Sequence, residues 1–197
     1  MSSLSFAKTL VLSSALGLGL SATTAIAAEK FVLDASHSQV VFSYDHLGYS
    51  TTYGMFSGFE GEIMFDDADP AASSVSVAMP VKSMLTGWEQ RFGHFMSDDF
   101  FGAQDGDMVT FTSTAIEVTG EDTAKITGDL SMNDVTKSVV LDAKLNKVGD
   151  HPMAGKPWMG FDATTTLMRS DFNLGAFAPA VSDAVEVTIS IEAMKAD

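Results

Sequence analysis

The sequence predicts an all-β protein, an eight-stranded antiparallel barrel with one short helix near residues 84–97. Three observations support this. Apolar and polar residues alternate with a period of two along most of the chain, the alternating runs number about eight, and short turns join consecutive runs. A sheet with one apolar face must bury that face, either in a sandwich or by closing into a barrel. Long strands with short connections favour the up-and-down barrel.

Residues 1–27 are predicted to be a cleaved signal peptide. Lys8 precedes an uncharged stretch whose dense apolar part covers only residues 10–20. A membrane-spanning helix needs about 20 apolar residues. A signal peptide has a shorter apolar region followed by small residues, which residues 25–27 supply. We therefore expect residues 28–197 to fold as a single periplasmic domain, with no stable membrane insertion after cleavage; an uncleaved anchor is the alternative.

The eight predicted strands follow in order along the remaining chain. They lie near residues 38–46, 52–66, 73–81, 108–118, 123–132, 137–147, 158–168 and 184–195. The alternation is plain in the last of them, where valines and isoleucines at odd-numbered positions alternate with Glu, Thr and Ser. Turn residues at 66–70, 120–122 and 133–134 separate neighbouring runs, and a Gly/Pro loop covers residues 149–157.

One segment between the third and fourth strands departs from the period of two. Trp88, Phe92, Phe95 and Met96 have a helical spacing, and this predicts that they form one face of the short helix. Glu89, Gln90 and Arg91 are then expected on the other side.

Composition excludes several classes of function. The chain has no cysteine, so disulfides, thiol catalysis and cysteine-based metal sites are absent. The formal net charge is −15, which repels nucleic-acid phosphates and anionic lipid headgroups. We expect no nucleic-acid partner. Length and charge leave the oligomeric state open, a homodimer included.

The predicted inward faces mix large and small side chains, as in Phe59, Gly61, Ile63 and Phe65. A glycine inside a strand either leaves space or allows a bend. An eight-stranded barrel can hold one small ligand or be filled by its own side chains. The periodicity therefore leaves two alternatives open, an apolar tunnel and a self-filled core.

Several motifs resemble those of the YceI-like family over residues 31–192. They are "FVLDASHSQVVFSYDHLGYS", "GMFSGFEGEIMFDD", "WEQRFGHFMSDDFF", "ITGDLSMNDVTKSVVL" and "MRSDFNLG", in the family's order and spacing. The sequence departs from the family's usual pattern at Phe92, where an acidic residue is common, at Asp134 and Asn173, where glycine is frequent, and at Asp107, where a proline often precedes the strand.

The resemblance implies an exported, lipocalin-like β-barrel that binds a polyisoprenoid, such as a quinone-like tail, or another long-chain amphiphile. The expected function is a non-enzymatic periplasmic carrier with no cofactor beyond a bound lipid. The alternatives are a stress-related interaction or scaffold protein with a self-filled barrel, and an enzyme or redox accessory acting on a quinone. We expect the apolar tunnel to be lined by Phe42, Tyr44, Phe56, Phe59, Ile63, Phe65, Phe92, Phe95, Phe111, Ile126, Phe161 and Leu167.

The histidines are interpreted first as structural residues. His37 can bond Asp34 or Ser38, but His37 and Ser38 cannot be assumed to form a catalytic dyad, because successive strand residues face opposite sides. No metal-binding pattern of the H-x-H or H-E-x-x-H type is present, so no metal site is expected. His46, Arg91 and His94 are the candidates for contacting a ligand headgroup.

Overall fold

A computed structural model describes residues 28–197, so the predicted signal peptide lies outside the described residues. Ten strand segments and one α-helix, α1 (Glu89–Met96), make up the fold. The strands are β1 (Glu29–Leu33), β2 (Gln39–His46), β3 (Ser50–Phe56), β4 (Glu60–Phe65), β5 (Ser74–Pro80), β6 (Met108–Val118), β7 (Thr123–Met132), β8 (Val135–Asp150), β9 (Pro157–Met168) and β10 (Ala184–Lys195).

The sheet closes on itself as an eight-stranded antiparallel barrel, which confirms the predicted fold class. The order is β1-β4-β5-β6-β7-β8-β9-β10, and β10 pairs again with β1. Segments β2 and β3 extend this ring, because β2 pairs with the first half of β10 and β3 pairs with β2. Segments β1 and β2 are thus two parts of one long barrel strand, and β3 and β4 are two parts of the next.

Strand β1 is the one segment that the sequence-based assignment missed. It contributes five residues that pair with both β4 and β10. A tight turn at residues 34–38 separates it from β2, and the Asp34 carboxylate accepts the backbone N–H of Ser36 there. Such Asx turns interrupt a strand without ending its path along the sheet.

The two ends of the barrel are built differently. At one end, called the helix end, lie the β2–β3 turn, α1 and the β9–β10 connection at residues 169–183. At the opposite end, called the turn end, lie the β4–β5, β6–β7 and β8–β9 connections. No helix in residues 28–197 is both long enough and apolar enough to cross a membrane.

Buried side chains form two separate clusters instead of one central core. The first contains Phe31, Leu33, Phe59, Ile63, Met159 and Ala193. The second lies towards the helix end and contains Val81, Ala103, Val109, Leu130, Phe172 and Leu174.

Glycines in the strands make room for neighbouring aromatic rings. A Cβ at Gly128 would lie 2.4 Å from Cζ of Phe111, and one at Gly54 would lie 2.2 Å from Cζ of Phe42. Gly54 is directly paired with Phe42 across β2 and β3. These rings cover the bare backbone of the glycines, so the glycines do not themselves open the tunnel.

Candidate functional site

A large cavity runs along the inside of the barrel. Its volume is about 1310 Å³, above the roughly 300–1,000 Å³ of common small-molecule pockets. The walls are mostly apolar side chains from the inward positions of every long strand. The barrel is therefore hollow, and of the two alternatives left open by the periodicity the structure shows the tunnel.

Eleven of the twelve side chains predicted to line the tunnel lie on the cavity wall. They are Phe42, Tyr44, Phe56, Phe59, Ile63, Phe65, Phe95, Phe111, Ile126, Phe161 and Leu167. Strand alternation places nine of them there, since every second side chain points inward, while Phe95 lies on α1 and Phe59 directly precedes β4. Small residues keep the middle of the cavity open: Ala143 of β8 and Ala163 of β9 are paired across the sheet and both line the cavity.

Phe92 is the exception, because the structure does not place it on the cavity wall. The predicted helix face included Trp88, but Trp88 precedes α1 and has an extended backbone, with φ −154°. The face of α1 towards the cavity is instead formed by Arg91, His94 and Phe95, which follow the i, i+3, i+4 spacing. Gln90 and Arg91 therefore line the cavity, contrary to the predicted helix face, while the position of Arg91 agrees with its selection as a headgroup candidate.

The three headgroup candidates, His46, Arg91 and His94, all lie on the cavity wall at the helix end. One guanidinium nitrogen of Arg91 donates to the Thr86 carbonyl at 3.0 Å. The His94 ring packs edge-on against Phe100, with 5.0 Å between the ring centroids, and its Nε2 lies 3.8 Å from a carboxylate oxygen of Asp99. These contacts orient polar groups at the opening while leaving further donors free for a ligand.

Charged residues of the cavity wall are separated by sign. The basic ones, His46, Arg91, His94 and Arg169, lie at the helix end, whereas Asp67, Glu121 and Asp122 lie at the turn end and Asp162 lies near the middle of β9. This separation makes the helix end the better place for a ligand group that carries negative charge or accepts hydrogen bonds.

Arg169 is a residue of the site that sequence reasoning missed. Its guanidinium is half-buried and donates to the carbonyls of Ser182, Leu174, Ala176 and Val181. Burial lowers the pKa of Arg169 below its ordinary value, and the group stays charged at neutral pH. It holds the β9–β10 connection against the cavity. Its position in the quoted motif "MRSDFNLG" was the available signal.

His37 lies outside the cavity. Its Nδ1 is 2.5 Å from a carboxylate oxygen of Asp34, and the Ser38 hydroxyl donates to the Asp34 carbonyl instead of to the imidazole. The hydrogen bond with Asp34 raises the pKa of His37. Burial alone would raise the pKa of Asp34, but the hydrogen bonds from His37 and Ser36 outweigh it and lower that pKa.

Asp34, His37 and Glu192 bring three potential metal-ligating atoms within 4.8 Å of one another. Each atom already has a protein partner in reach: Asp34 and His37 bond each other, and the Trp158 indole donates to Glu192 at 2.8 Å. The contacts are those of a structural network joining the β1–β2 turn to β9 and β10.

The barrel geometry can be compared with known proteins. The sequence model of a protein family described as "YceI-like domain" matches residues 31–193 of this chain. The chain belongs to the YceI-like family. A relative described as "UPF0312 protein", from Ectopseudomonas mendocina (strain ymp), is 41% identical over 182 residues, covering 91% of this chain and 94% of the relative.

Solved structures show the same YceI-like fold. The YCEI protein of Campylobacter jejuni is 30% identical, with a TM-score of 0.70, covering 78% of this chain and 90% of that one. A polyisoprenoid binding domain from Saccharophagus degradans is 15% identical, with a TM-score of 0.65, covering 84% of this chain and 98% of that domain. At that identity the second likeness shows the fold alone.

Proposed function

We propose that this YceI-like protein is a periplasmic carrier that binds a polyisoprenoid or another long-chain lipid inside its barrel. The observation that carries the proposal is the hollow, apolar interior of about 1310 Å³. A cavity of this kind excludes water from apolar chains and offers few polar groups along its length. One chain forms the whole cavity, so carriage does not require a second copy.

The dimensions suit an extended hydrocarbon. Strand β10 has 12 residues, and at about 3.3 Å per residue and a tilt near 40° such a strand spans roughly 30 Å along the barrel axis. Each buried methylene contributes roughly 0.8 kcal/mol. About ten of them therefore offset a typical cost of association, which lies between about 4 and 15 kcal/mol.

The charge separation along the wall sets the orientation of the lipid. The hydrocarbon tail extends towards the turn end, and an acceptor or anionic headgroup stays at the helix end near His46, Arg91 and His94. Polar donors at one end and apolar burial elsewhere fit an amphiphile better than a symmetric hydrocarbon.

The fold supports this ligand class. The Saccharophagus degradans domain with the same fold is described as polyisoprenoid binding, and we extend that ligand class to this chain by proposal. A scaffold protein with a self-filled barrel does not account for the cavity. The YceI-like family and the polyisoprenoid binding domain with the same fold favour a binding protein over an enzyme acting on a quinone.

The proposal is tested by native mass spectrometry of protein purified from its own host. The protein is expected to carry the additional mass of a long-chain lipid. Replacing Ala163 with Phe places a ring in the middle of the cavity, so this variant should lose the added mass. Thr164→Phe puts the same ring on the outer face of β9 and is the matched control.

Two results would contradict the carrier function. One is wild-type protein that leaves its host with an empty barrel and does not take up polyisoprenoids of different lengths in vitro. The other is undiminished lipid binding by Ala163→Phe, since that result would place the lipid outside the cavity.

A further inference from the structure

We propose that the helix end docks on the surface of a lipid bilayer through an exposed apolar rim around the cavity opening. The rim, called the mouth rim, consists of Leu47, Tyr49, Leu85, Trp88 and Phe177. This inference rests on the proposed carrier function, because a carrier must exchange its lipid with a membrane. It adds the surface of the protein at which that exchange takes place.

The mouth rim exposes large apolar side chains that a folded chain normally buries. Trp88 is 59% exposed, Phe177 is 58% exposed and Tyr49 is 89% exposed. The exposed aromatic residues within residues 28–197 are these three and Tyr53, which also lies on the β2–β3 hairpin. The exposed apolar residues at the turn end, Val118 and Met153 among them, include no aromatic side chain.

The rim is continuous with the cavity. Leu47, Trp88 and Phe177 are exposed and also line the cavity wall. They come from three separate segments, and contacts between these segments close the ring. The Leu47 N–H donates to the Ala180 carbonyl at 3.2 Å, and the Phe177 ring lies 6.2 Å from the ring of His94 on α1. A bilayer touching the rim would therefore face the opening directly.

Two rim residues adopt backbone conformations that favour other residue types. Leu47 has φ +60° and Phe177 has φ +65°. Glycine, asparagine and aspartate occupy this left-handed region more easily than a bulky apolar residue does. Leu47 precedes Gly48 in a turn where both φ values are positive, the kind for which Asn-Gly is preferred. Apolar side chains at these positions work against local stability, which points to a role at the surface.

A bilayer fits this rim better than a second protein copy does. The five exposed side chains of the mouth rim offer on the order of 500 Å², below the roughly 800 Å² per partner of a stable interface. Two copies with a formal charge of −15 also repel each other. Trp and Tyr side chains are favoured at the boundary between headgroups and acyl chains. The same net charge predicts a preference for zwitterionic over anionic phospholipids.

The chain carries its own probes for the test, because it has two tryptophans, one at each end. Trp88 belongs to the mouth rim, while Trp158 lies at the turn end and bonds Glu192. The variant Trp158→Phe reports on the rim alone, and Trp88→Phe reports on the opposite end. Each is titrated with phosphatidylcholine vesicles, with and without bromine-labelled acyl chains. Trp88 emission should shift to the blue and be quenched by the bromines, whereas Trp158 emission should stay unchanged.

A second set of variants separates docking from folding. Leu47→Asn and Phe177→Asn remove rim side chains and place Asn where the backbone accepts it readily, so thermal stability should be kept or raised. Vesicle binding by the double variant should fall by about tenfold or more, the scale expected for losing two partly buried apolar groups. Met153→Asn removes an exposed apolar side chain at the turn end and should leave vesicle binding unchanged.

Unchanged Trp88 emission, an equal response of Trp158, or full vesicle binding by the double variant would each overturn the docking proposal. Self-association without vesicles that the same double variant abolishes would assign the rim to a second copy and would also overturn it. These outcomes are distinct from failure of the carrier function. A lipid-loaded protein that ignores vesicles refutes docking alone, and a protein that binds vesicles but never carries lipid refutes carriage.

Discussion

The ion pair between His37 and Asp34 gives the fold a dependence on pH. Because the pKa of His37 is raised above its ordinary value of 6.5, its contribution to stability is present below that pH and is lost as pH rises through the folded-state pKa. The pKa of Asp34 is lowered from 3.8, so its contribution is present above that pH and is lost as pH falls through the folded-state pKa.

We therefore expect His37→Gln to destabilise the protein most between pH 3.8 and 6.5, the ordinary values of the two groups. The difference should shrink as the pH is raised well above that window. Urea unfolding midpoints of wild type and variant across this range measure it. In an Asp34→Asn background the substitution should no longer change stability in a pH-dependent way. A destabilisation that stayed constant up to alkaline pH would show that the imidazole acts through packing alone.

The sequence predicted the cavity-facing side chains correctly on the strands and less well on the helix. The period of two placed Ile126 and Phe161 correctly because a strand offers only two faces. On α1, Phe92 and Arg91 were exchanged between faces, since the predicted face was anchored on Trp88, which lies before the helix starts. Neighbouring residues of a helix point about 100° apart, so a face centred one residue too late along the chain exchanges Phe92 for Arg91.

At the scale of elements, close contact between β6 and β7 depends on Gly128. A Cβ there would lie 2.6 Å from the backbone carbonyl oxygen of Thr112 as well as against Phe111. Backbone atoms cannot move aside as a flexible side chain can, so we expect Gly128→Ala to destabilise the protein by about 1–3 kcal/mol. Chemical denaturation measures the loss.

The matched control is Gly160→Ala in β9. The nearest atom to a Cβ at Gly160 is the Ile191 carbonyl oxygen at 3.8 Å, an ordinary contact. Gly160→Ala should leave stability unchanged or raise it slightly, because the Cβ fits and the substitution reduces the freedom of the unfolded chain. Equal losses for the two variants would mean that strand propensity, and not the close approach at Gly128, sets the cost.

Turns and strands were largely readable because their signals are local. The β7–β8 turn was placed from Asn133 and Asp134, and both adopt positive φ, as the turn requires. Segment β1 was missed because its five residues are few and pair with β4 and β10, which lie far away in the sequence. The conformation of residues 169–183 could not be predicted from the sequence either. It is held by hydrogen bonds from the Arg169 side chain to four backbone carbonyls of an irregular loop, and such bonds leave no periodic pattern in the sequence.

At the scale of the whole molecule, the hollow interior could not be predicted from alternation alone. Alternation reports which side of a strand is apolar, whereas the space inside depends on how all inward side chains meet. The paired residues Ala143 and Ala163 put only methyl groups on the cavity wall at the middle of β8 and β9. Only the three-dimensional arrangement distinguishes this from a barrel whose own side chains meet at the axis.

A barrel that is filled by a lipid should be more stable than the same barrel emptied of it. Binding to the folded state alone stabilises a protein by about 2.7 kcal/mol when the free ligand is at 100 times Kd. For a domain of this size that corresponds to a rise in Tm of roughly 5–10 °C. Protein purified from its host should therefore melt higher than protein stripped of lipid and refolded, and adding a polyisoprenoid back should restore the difference.

Ala163→Phe should melt at the same temperature before and after stripping, because the ring occupies the lipid's place. A stripped wild-type protein that melts as high as the native one, with the lipid removed beyond detection, would mean that the cavity is stable empty and gains nothing from a tail.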